Sequence, residues 1–191
     1  LIPAHQARGN DAYLVYASGD GWDSAMSDMF PTRELYRGTR QYYEITDFVP
    51  RTNVQLPDGF FMHLITSEFL ASGFDGLDSV REEMCSERAS VEDFLAHSFG
   101  ICPVYENEIA GWCMSEYNVG NRCEIGIATT PNHQRKGIAT LATQYFLAEA
   151  HGLGYTQVGW DCWTRNEASV ATARKAGFSL IEEYPAVVVE L

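Results

Sequence analysis

The sequence predicts a mixed α/β fold, a sheet with helices on its faces, preceded by an N-terminal accessory segment. Three observations carry this. From Phe60 onward the patterns run strand, helices, three strands, helix, strand, helix, strand, an order that suits a mixed sheet covered by helices. Near residues 124–151 a strand ends in a glycine-bearing loop that opens an amphipathic helix. Hydrophobic residues form 46% of the 191-residue chain, enough for one sizeable core.

Residues 1–57 give weak signals. GDGWD (19–23) reads as a turn, punctuated by Gly and Asp. RELYRGTRQYY (33–43) is expected to form a short helix despite Gly38. Pro50 and LPDG (56–59) break the chain, and a boundary is placed there. The expected organisation is therefore an accessory segment, 1–57, and a main domain, 58–191.

Beyond the boundary, FFMHLIT (60–66) reads as a buried strand, and 67–85 as helical with a break near SGFDG (72–76). Ser90 suits an N-cap, with Glu92 and Asp93 in the first turn of the helix that follows. GICPVYE (100–106) and EIAGWCMSEYNV (108–119) read as a hairpin turning at Glu106–Asn107. A second turn at Gly120–Asn121 leads into RCEIGIATT (122–130). From about Arg135 to His151, Ile138, Leu141, Ala142, Tyr145 and Phe146 recur at helical spacing. HGLGY (151–155) ends that helix with glycine. TQVGWDC (156–162) is a strand, 166–177 a helix opened by Asn166 and closed by Gly177, and FSLIEEYPAVVVEL (178–191) a final strand or strand pair.

Composition excludes some functions. The formal charge is −13, and an acidic surface repels phosphate backbones and anionic lipid headgroups. Nucleic acid and membrane surfaces are therefore not expected partners, and a cationic substrate such as an amine would be attracted. The five cysteines are odd in number and scattered, with no C-x-x-C pair. No zinc or redox motif is present, and the set suits a reducing cytoplasm. No apolar run approaches the roughly 18 residues of a membrane-spanning helix. LIPAHQARGND (1–11) shows no basic stretch followed by an apolar one, so no signal peptide is predicted.

The most informative stretch is Thr129-Thr-Pro-Asn-His-Gln134-Arg-Lys-Gly137-Ile-Ala139-Thr140. A helix opening has free N–H groups and the positive end of the macrodipole, which suits an anion. Gly137 removes a Cβ where a phosphate must come close, Ala139 keeps the next position small, and Arg135 and Lys136 add charge. By itself, a strand–glycine–helix junction also occurs where no phosphate binds.

Gln134-x-x-Gly137-x-Ala139 resembles the Q/R-x-x-G-x-G/A loop of the GNAT superfamily of N-acetyltransferases. A second block, Trp160-Asp-Cys162, Asn166-x-x-Ser169-Val170 and Lys175-x-Gly177-Phe178, matches the family's next strand and helix, in family order and spacing. The wording EIGIAT, QRKGIAT and WDCW is similar to a subgroup that includes acetyltransferases conferring resistance to the antibiotic zwittermicin A. The resemblance covers about 60–191 and is strongest over 122–178.

The resemblance implies a GNAT-like fold with a splayed central sheet and acetyl-CoA as acyl donor, with no metal. Main-chain groups of Ile127, Ala128 and Thr129 would meet the acyl and pantetheine part. Gln134 belongs to the loop, and the amides of Arg135, Lys136, Gly137, Ile138, Ala139 and Thr140 would take the pyrophosphate. Asn166 would contact pantetheine or order the loop before its helix. An amine would attack the thioester directly in a ternary complex, which needs a base and donors for the developing oxyanion.

Glu124 is the candidate base, with a solvated or ion-paired strand-end carboxylate as the alternative. Asp161 is the second catalytic candidate, since a carboxylate on a central strand calls for a partner. Many family members place a tyrosine four residues before the closing glycine to protonate the leaving thiolate. Here that position is Ala173, and Tyr155 or Tyr184 would have to substitute. Cys162 and the tryptophans 112, 160 and 163 read as packing residues. His133 is expected to be exposed, with a phosphate contact as its alternative role.

The function read from the sequence is N-acetylation of a small-molecule primary amine. A protein N-acetyltransferase and a non-catalytic coenzyme A sensor are the alternatives, the latter favoured by Ala173. A Rossmann nucleotide module fails, because no G-x-G-x-x-G or P-loop occurs. Residues 1–57 are expected to shape the acceptor side or a homodimer contact.

Overall fold

The computed structural model describes residues 12–16, 21–50 and 54–190. In chain order the elements are β1 (Ala12–Tyr16), α1 (Trp22–Met29), β2 (Leu35–Thr46), β3 (Phe60–Leu64), α2 (Ser67–Leu70), α3 (Leu77–Glu87), α4 (Val91–His97), β4 (Gly100–Tyr105), β5 (Glu108–Ile109), β6 (Gly111–Val119), β7 (Arg122–Thr129), a 3₁₀ turn (Pro131–His133), α5 (Ile138–Gly152), β8 (Gln157–Trp163), α6 (Glu167–Ala176) and β9 (Ser179–Glu190). They fall into two compact units. One takes the described residues up to Tyr42 with 161–170 and 180–190; the other takes those of 43–160 with 171–179.

In the larger unit the sheet is mixed. β3, β6 and the two-residue β5 pair antiparallel with β4, β6 pairs antiparallel with β7, and β7 pairs parallel with β8. Strand alternation sends side chains to opposite faces. On one face Cys102 and Val104 of β4 and Met114 of β6 meet Phe69, Leu70, Leu77, Val80, Met84 and Phe94 from α2, α3 and α4. On the other, Phe60, Ala110 and Ile138 form a second cluster that includes Tyr105 and Leu141, which seats the start of α5. Burying each large apolar side chain contributes about 1.5–3 kcal/mol.

Local chemistry sets the element ends. The Ser90 hydroxyl accepts from the Asp93 amide and opens α4 as expected. The hairpin turns at Glu106–Asn107, with Glu106 at φ 52. The Asn166 side-chain oxygen accepts from the Ser169 amide at 3.2 Å and opens α6. Gly177, at φ 102, closes it. Helix α5 starts three residues later than the apolar spacing suggests. Arg135 and Gly137 have φ 60 and 79, left-handed values that a right-handed helix cannot contain.

The structure corrects the reading of residues 33–43. From Leu35 that segment lies in strand β2 and not in a helix. Its run Tyr42-Tyr43-Glu44-Ile45-Thr46 is rich in aromatic and β-branched residues, which favour a pleated surface. Gly38 is a packing position: a Cβ there would sit 2.9 Å from Cζ3 of Trp163. β1 and β9 pair antiparallel, and Met26, Val187 and Val189 pack with Tyr13, Val15, Phe30 and Leu35. The turn expected at 19–23 lies partly outside the described residues, and from Trp22 the chain is helical. No helix among the described residues is long and apolar enough to cross a membrane.

Gly111 opposes Thr129 in the β6–β7 ladder, and a Cβ on it would strike the carbonyl oxygen of Ala128. Backbone cannot yield as a flexible side chain does. Gly111→Ala is expected to lower unfolding free energy by about 1–3 kcal/mol, read as a lower urea midpoint with an unchanged m-value.

Candidate functional site

The region begins where β7 loses one neighbour. The parallel register of β7 with β8 covers Arg122↔Gln157, Cys123↔Val158 and Glu124↔Gly159 and stops there. On its other edge β7 stays paired with β6 as far as Gly111↔Thr129. Residues Ile125 to Thr129, including Ile127 and Ala128, thus have a register partner on the β6 side alone among the described residues.

The chain then turns under tight control. The Thr130 amide donates to the Ala110 carbonyl at 2.9 Å, and its hydroxyl donates to the same oxygen at 3.2 Å. Pro131 opens the 3₁₀ turn, which the His133 amide closes onto the Thr130 carbonyl. Gln134 Nε2 donates back to the Thr129 carbonyl at 3.1 Å and ties the two ends of the turn together. The motif glutamine therefore acts within the loop.

From Arg135 to Thr140, six consecutive main-chain N–H groups have no acceptor among the described residues, and the first α5 bond comes from Leu141 to Gly137. Left-handed Arg135 and Gly137 alternate with residues of other conformation, an arrangement that turns successive N–H groups toward one concavity. The α5 macrodipole adds partial positive charge at the same place. Apart from the adjoining residues, no atom lies within 4 Å of where a Gly137 Cβ would stand, and residues 134–137 are exposed. Lys136 Nζ lies 6.0 Å from the centroid of the Tyr105 ring. The donor set suits a polyanion such as a pyrophosphate.

Glu124 stands at the last position of β7 that pairs with β8. Its Oε1 accepts from Arg122 Nη2 at 3.1 Å, and the side chain is partly buried. Glu116 of β6 opposes it in register, and the Glu116 carboxylate lies across Gly126, filling the space of a Cβ there. Carboxylate oxygens of Glu83, Glu87 and Glu116 lie within 4.8 Å of one another. Burial, then Glu87, holds the Glu83 carboxyl above the usual range; burial does the same for Glu87, opposed by Arg88.

Asp161, in the smaller unit, has both oxygens engaged. Arg40 Nε donates to Oδ1 at 2.9 Å and the Tyr184 hydroxyl donates to Oδ2. The Arg40 and Asp161 side chains are 14% and 16% exposed. The Arg40 and Arg165 guanidiniums each lie about 5 Å from the Trp163 ring, at 5.0 and 4.9 Å. Burial, then the bond to Asp161, pushes the Tyr184 phenol well up; burial also raises Tyr155, so both keep their protons at neutral pH. The partner that a strand carboxylate calls for is thus Arg40, 121 positions away and carried by a segment with no sequence motif.

Two other positions matter. Ala173 is fully buried and carries no hydroxyl. His133, expected at the surface, is instead 4% exposed, with its ring against Phe60 and Tyr105. The pull of that aromatic cluster outweighs imidazole hydration, and nothing in the flanking Pro-Asn-His-Gln run signals it. Cys102, Cys113, Cys123 and Cys162 are buried as expected of packing residues, whereas Cys85 is exposed.

Known proteins share this architecture. A family model described as GNAT acetyltransferase matches residues 1–187. An uncharacterized N-acetyltransferase of Bacillus subtilis, YdfB, is 25% identical over 94% of this chain and 67% of its own length. A GCN5-related N-acetyltransferase-like protein from Streptococcus suis superposes with a TM-score of 0.71 at 18% identity, covering 93% of this chain and 71% of its own. A GCN5-related N-acetyltransferase from Sphaerobacter thermophilus gives 0.61 at 18% identity over 94% of this chain and 59% of its own. The fold class expected from the sequence is that of these structures.

The carboxyl cluster makes a pH prediction. A folded-state carboxyl raised above its unfolded value contributes stability below the unfolded value and loses it as pH rises through the folded one. Glu83→Gln is therefore expected to raise the urea midpoint at pH 7 and leave it unchanged near pH 3.5. Equal effects at both pH values would show that the shift is not electrostatic.

Proposed function

Because the chain belongs to the GNAT acetyltransferase family, we propose that it transfers an acetyl group from acetyl-CoA to the primary amine of a small molecule. The observation that carries the donor half is the run of six amides without acceptors, Arg135 to Thr140, at the opening of α5.

Acetyl-CoA supplies the acetyl group activated as a thioester. On this reading the six amides hold its pyrophosphate, with Lys136 adding charge. The main-chain groups of Ile127, Ala128 and Thr129, where β7 has parted from β8, receive the pantetheine and acyl portion. Gln134 keeps the loop in shape through Thr129, and Asn166 orders the start of α6. Glu124 takes the proton from the acceptor ammonium; Arg122 beside it donates to Oε1 and holds the carboxylate in place. Asp161, the second candidate, holds Arg40 and the Tyr184 hydroxyl in place and acts as an orienting group. No metal is assigned a role.

The acceptor class rests on the chain's charge of −13 and on the likeness of its QRKGIAT and WDCW wording to the zwittermicin-resistance subgroup. The proposed setting is a reducing cytoplasm, in keeping with five free cysteines. One observation favours a second reading. Buried Ala173 removes the family's usual proton donor, which suits a coenzyme A sensor without turnover. A protein amine in place of a small one is separated by acceptor profiling.

Calorimetric titration with acetyl-CoA, followed by thiol release over an amine panel, separates these readings. Binding with amine-dependent release is expected; binding without release for any small or peptide amine would favour the sensor. Gly137→Glu is expected to weaken coenzyme A binding by roughly tenfold or more, since left-handed strain alone costs about 1–2 kcal/mol and the new carboxylate repels phosphate. Glu124→Gln is expected to lower kcat by roughly 100-fold with donor affinity retained; an unchanged rate would reduce Glu124 to an ion-pairing residue.

A further inference from the structure

His133 is a buried titratable group that the reaction outlined above does not use. It is 4% exposed, and neither ring nitrogen has a hydrogen-bond partner. Its ring makes an edge contact with Phe60 of β3 at 5.5 Å and a tilted contact with Tyr105 of β4 at 5.3 Å. The Glu108 Oε2 of β5 lies 3.6 Å from Nε2, too far for a hydrogen bond and within reach of an ion pair. The charged and titratable groups facing the ring are thus Glu108, Tyr105 and, over the Tyr105 ring, Lys136.

Burial opposes a charge on the ring, and Glu108, the carboxylate within ion-pair reach, counters that cost. Glu108 is well anchored for that task. β5 pairs with β4 through Tyr105↔Glu108, and the next amide, Ile109, donates to the Asp75 carbonyl at 2.8 Å. His133 in turn ends the 3₁₀ turn, two residues before the first amide without an acceptor. The ring therefore braces the loop against β3, β4 and β5.

We propose that His133 is a positioning residue for the phosphate loop: its protonated ring pairs with Glu108, fixes the Pro131–His133 turn, and couples coenzyme A binding to uptake of a proton. The inference rests on the donor reading given under Proposed function. The coupling is electrostatic and reciprocal. Phosphates held by the amides from Arg135 onward, two residues along the chain, would favour the ring's proton, and the proton would favour the phosphates by the same factor. Lys136 opposes the proton in the free protein, and its charge is offset once the phosphates are bound.

The test is calorimetric titration of coenzyme A at pH 6, 7 and 8 in two buffers of different ionisation heat, with wild type, Glu108→Gln and His133→Gln. Coenzyme A carries a phosphate with a pKa near 6, so the readout is the difference between wild type and each variant. Wild type is expected to take up more protons than either variant near pH 7. Relative to Glu108→Gln, it should lose roughly fivefold or more in affinity between pH 6 and 8. Equal proton uptake in all three proteins overturns the proposal while leaving the donor reading intact. Absence of any binding removes both. Carbon-13 labelling of the imidazoles gives a second readout without ligand, since a His133 resonance that titrates identically in wild type and in Glu108→Gln also overturns the pair.

Discussion

Main-chain N–H groups must be satisfied by something, and a fold cannot leave six of them in a row unserved without exposing them to solvent or a ligand. Arg135, Lys136 and Gly137 meet this constraint by being exposed, and Ile138, Ala139 and Thr140 by standing in the first turn of α5. Much of the larger unit is arranged around keeping them so. Thr130 clamps the approach to Ala110, Gln134 closes the loop onto Thr129, and the left-handed residues 135 and 137 delay the helix until Ile138. Ile138 then anchors α5 in a cluster with Phe60 and Ala110. The proposed anion site is therefore a consequence of how a strand is joined to a helix, and side-chain charge is secondary to it.

A second constraint acts one element earlier. β7 must keep β6 and give up β8 within its own length. The register stops at Glu124↔Gly159 on one side and continues to Thr129 on the other. Gly111 and Gly126 serve this stretch in different ways: Gly111 lets two backbones close up, and Gly126 leaves room for the Glu116 carboxylate. A strand supported on one edge can offer main-chain groups on the other, which is how a sheet recognises an extended ligand.

Much of this was legible in the sequence, and the gaps have physical causes. The hairpin over 100–119, the Ser90 and Asn166 caps and the glycine stops of α5 and α6 follow from local chemistry, where residue type and conformation are tightly linked. The Gln134–Gly137–Ala139 loop was legible because its motif is local too. The helix expected over 33–43 failed because strand β2 is dictated by partners far along the chain: Gly38 fits beneath Trp163, and Arg40 meets Asp161. The burial of His133 was illegible for the same reason, since its aromatic neighbours come from β3 and β4. Position 173 could be read as lacking a hydroxyl, but only packing shows that no space is left there for another group.

The central claim is that the opening of α5 is the donor's phosphate site, and the amides themselves can report on it. Nitrogen-15 correlation spectra recorded while coenzyme A is added should show the largest shifts at Arg135 to Thr140, moving together with a single dissociation constant. Saturable binding that leaves those six amides unmoved, with the large shifts elsewhere, would contradict the account.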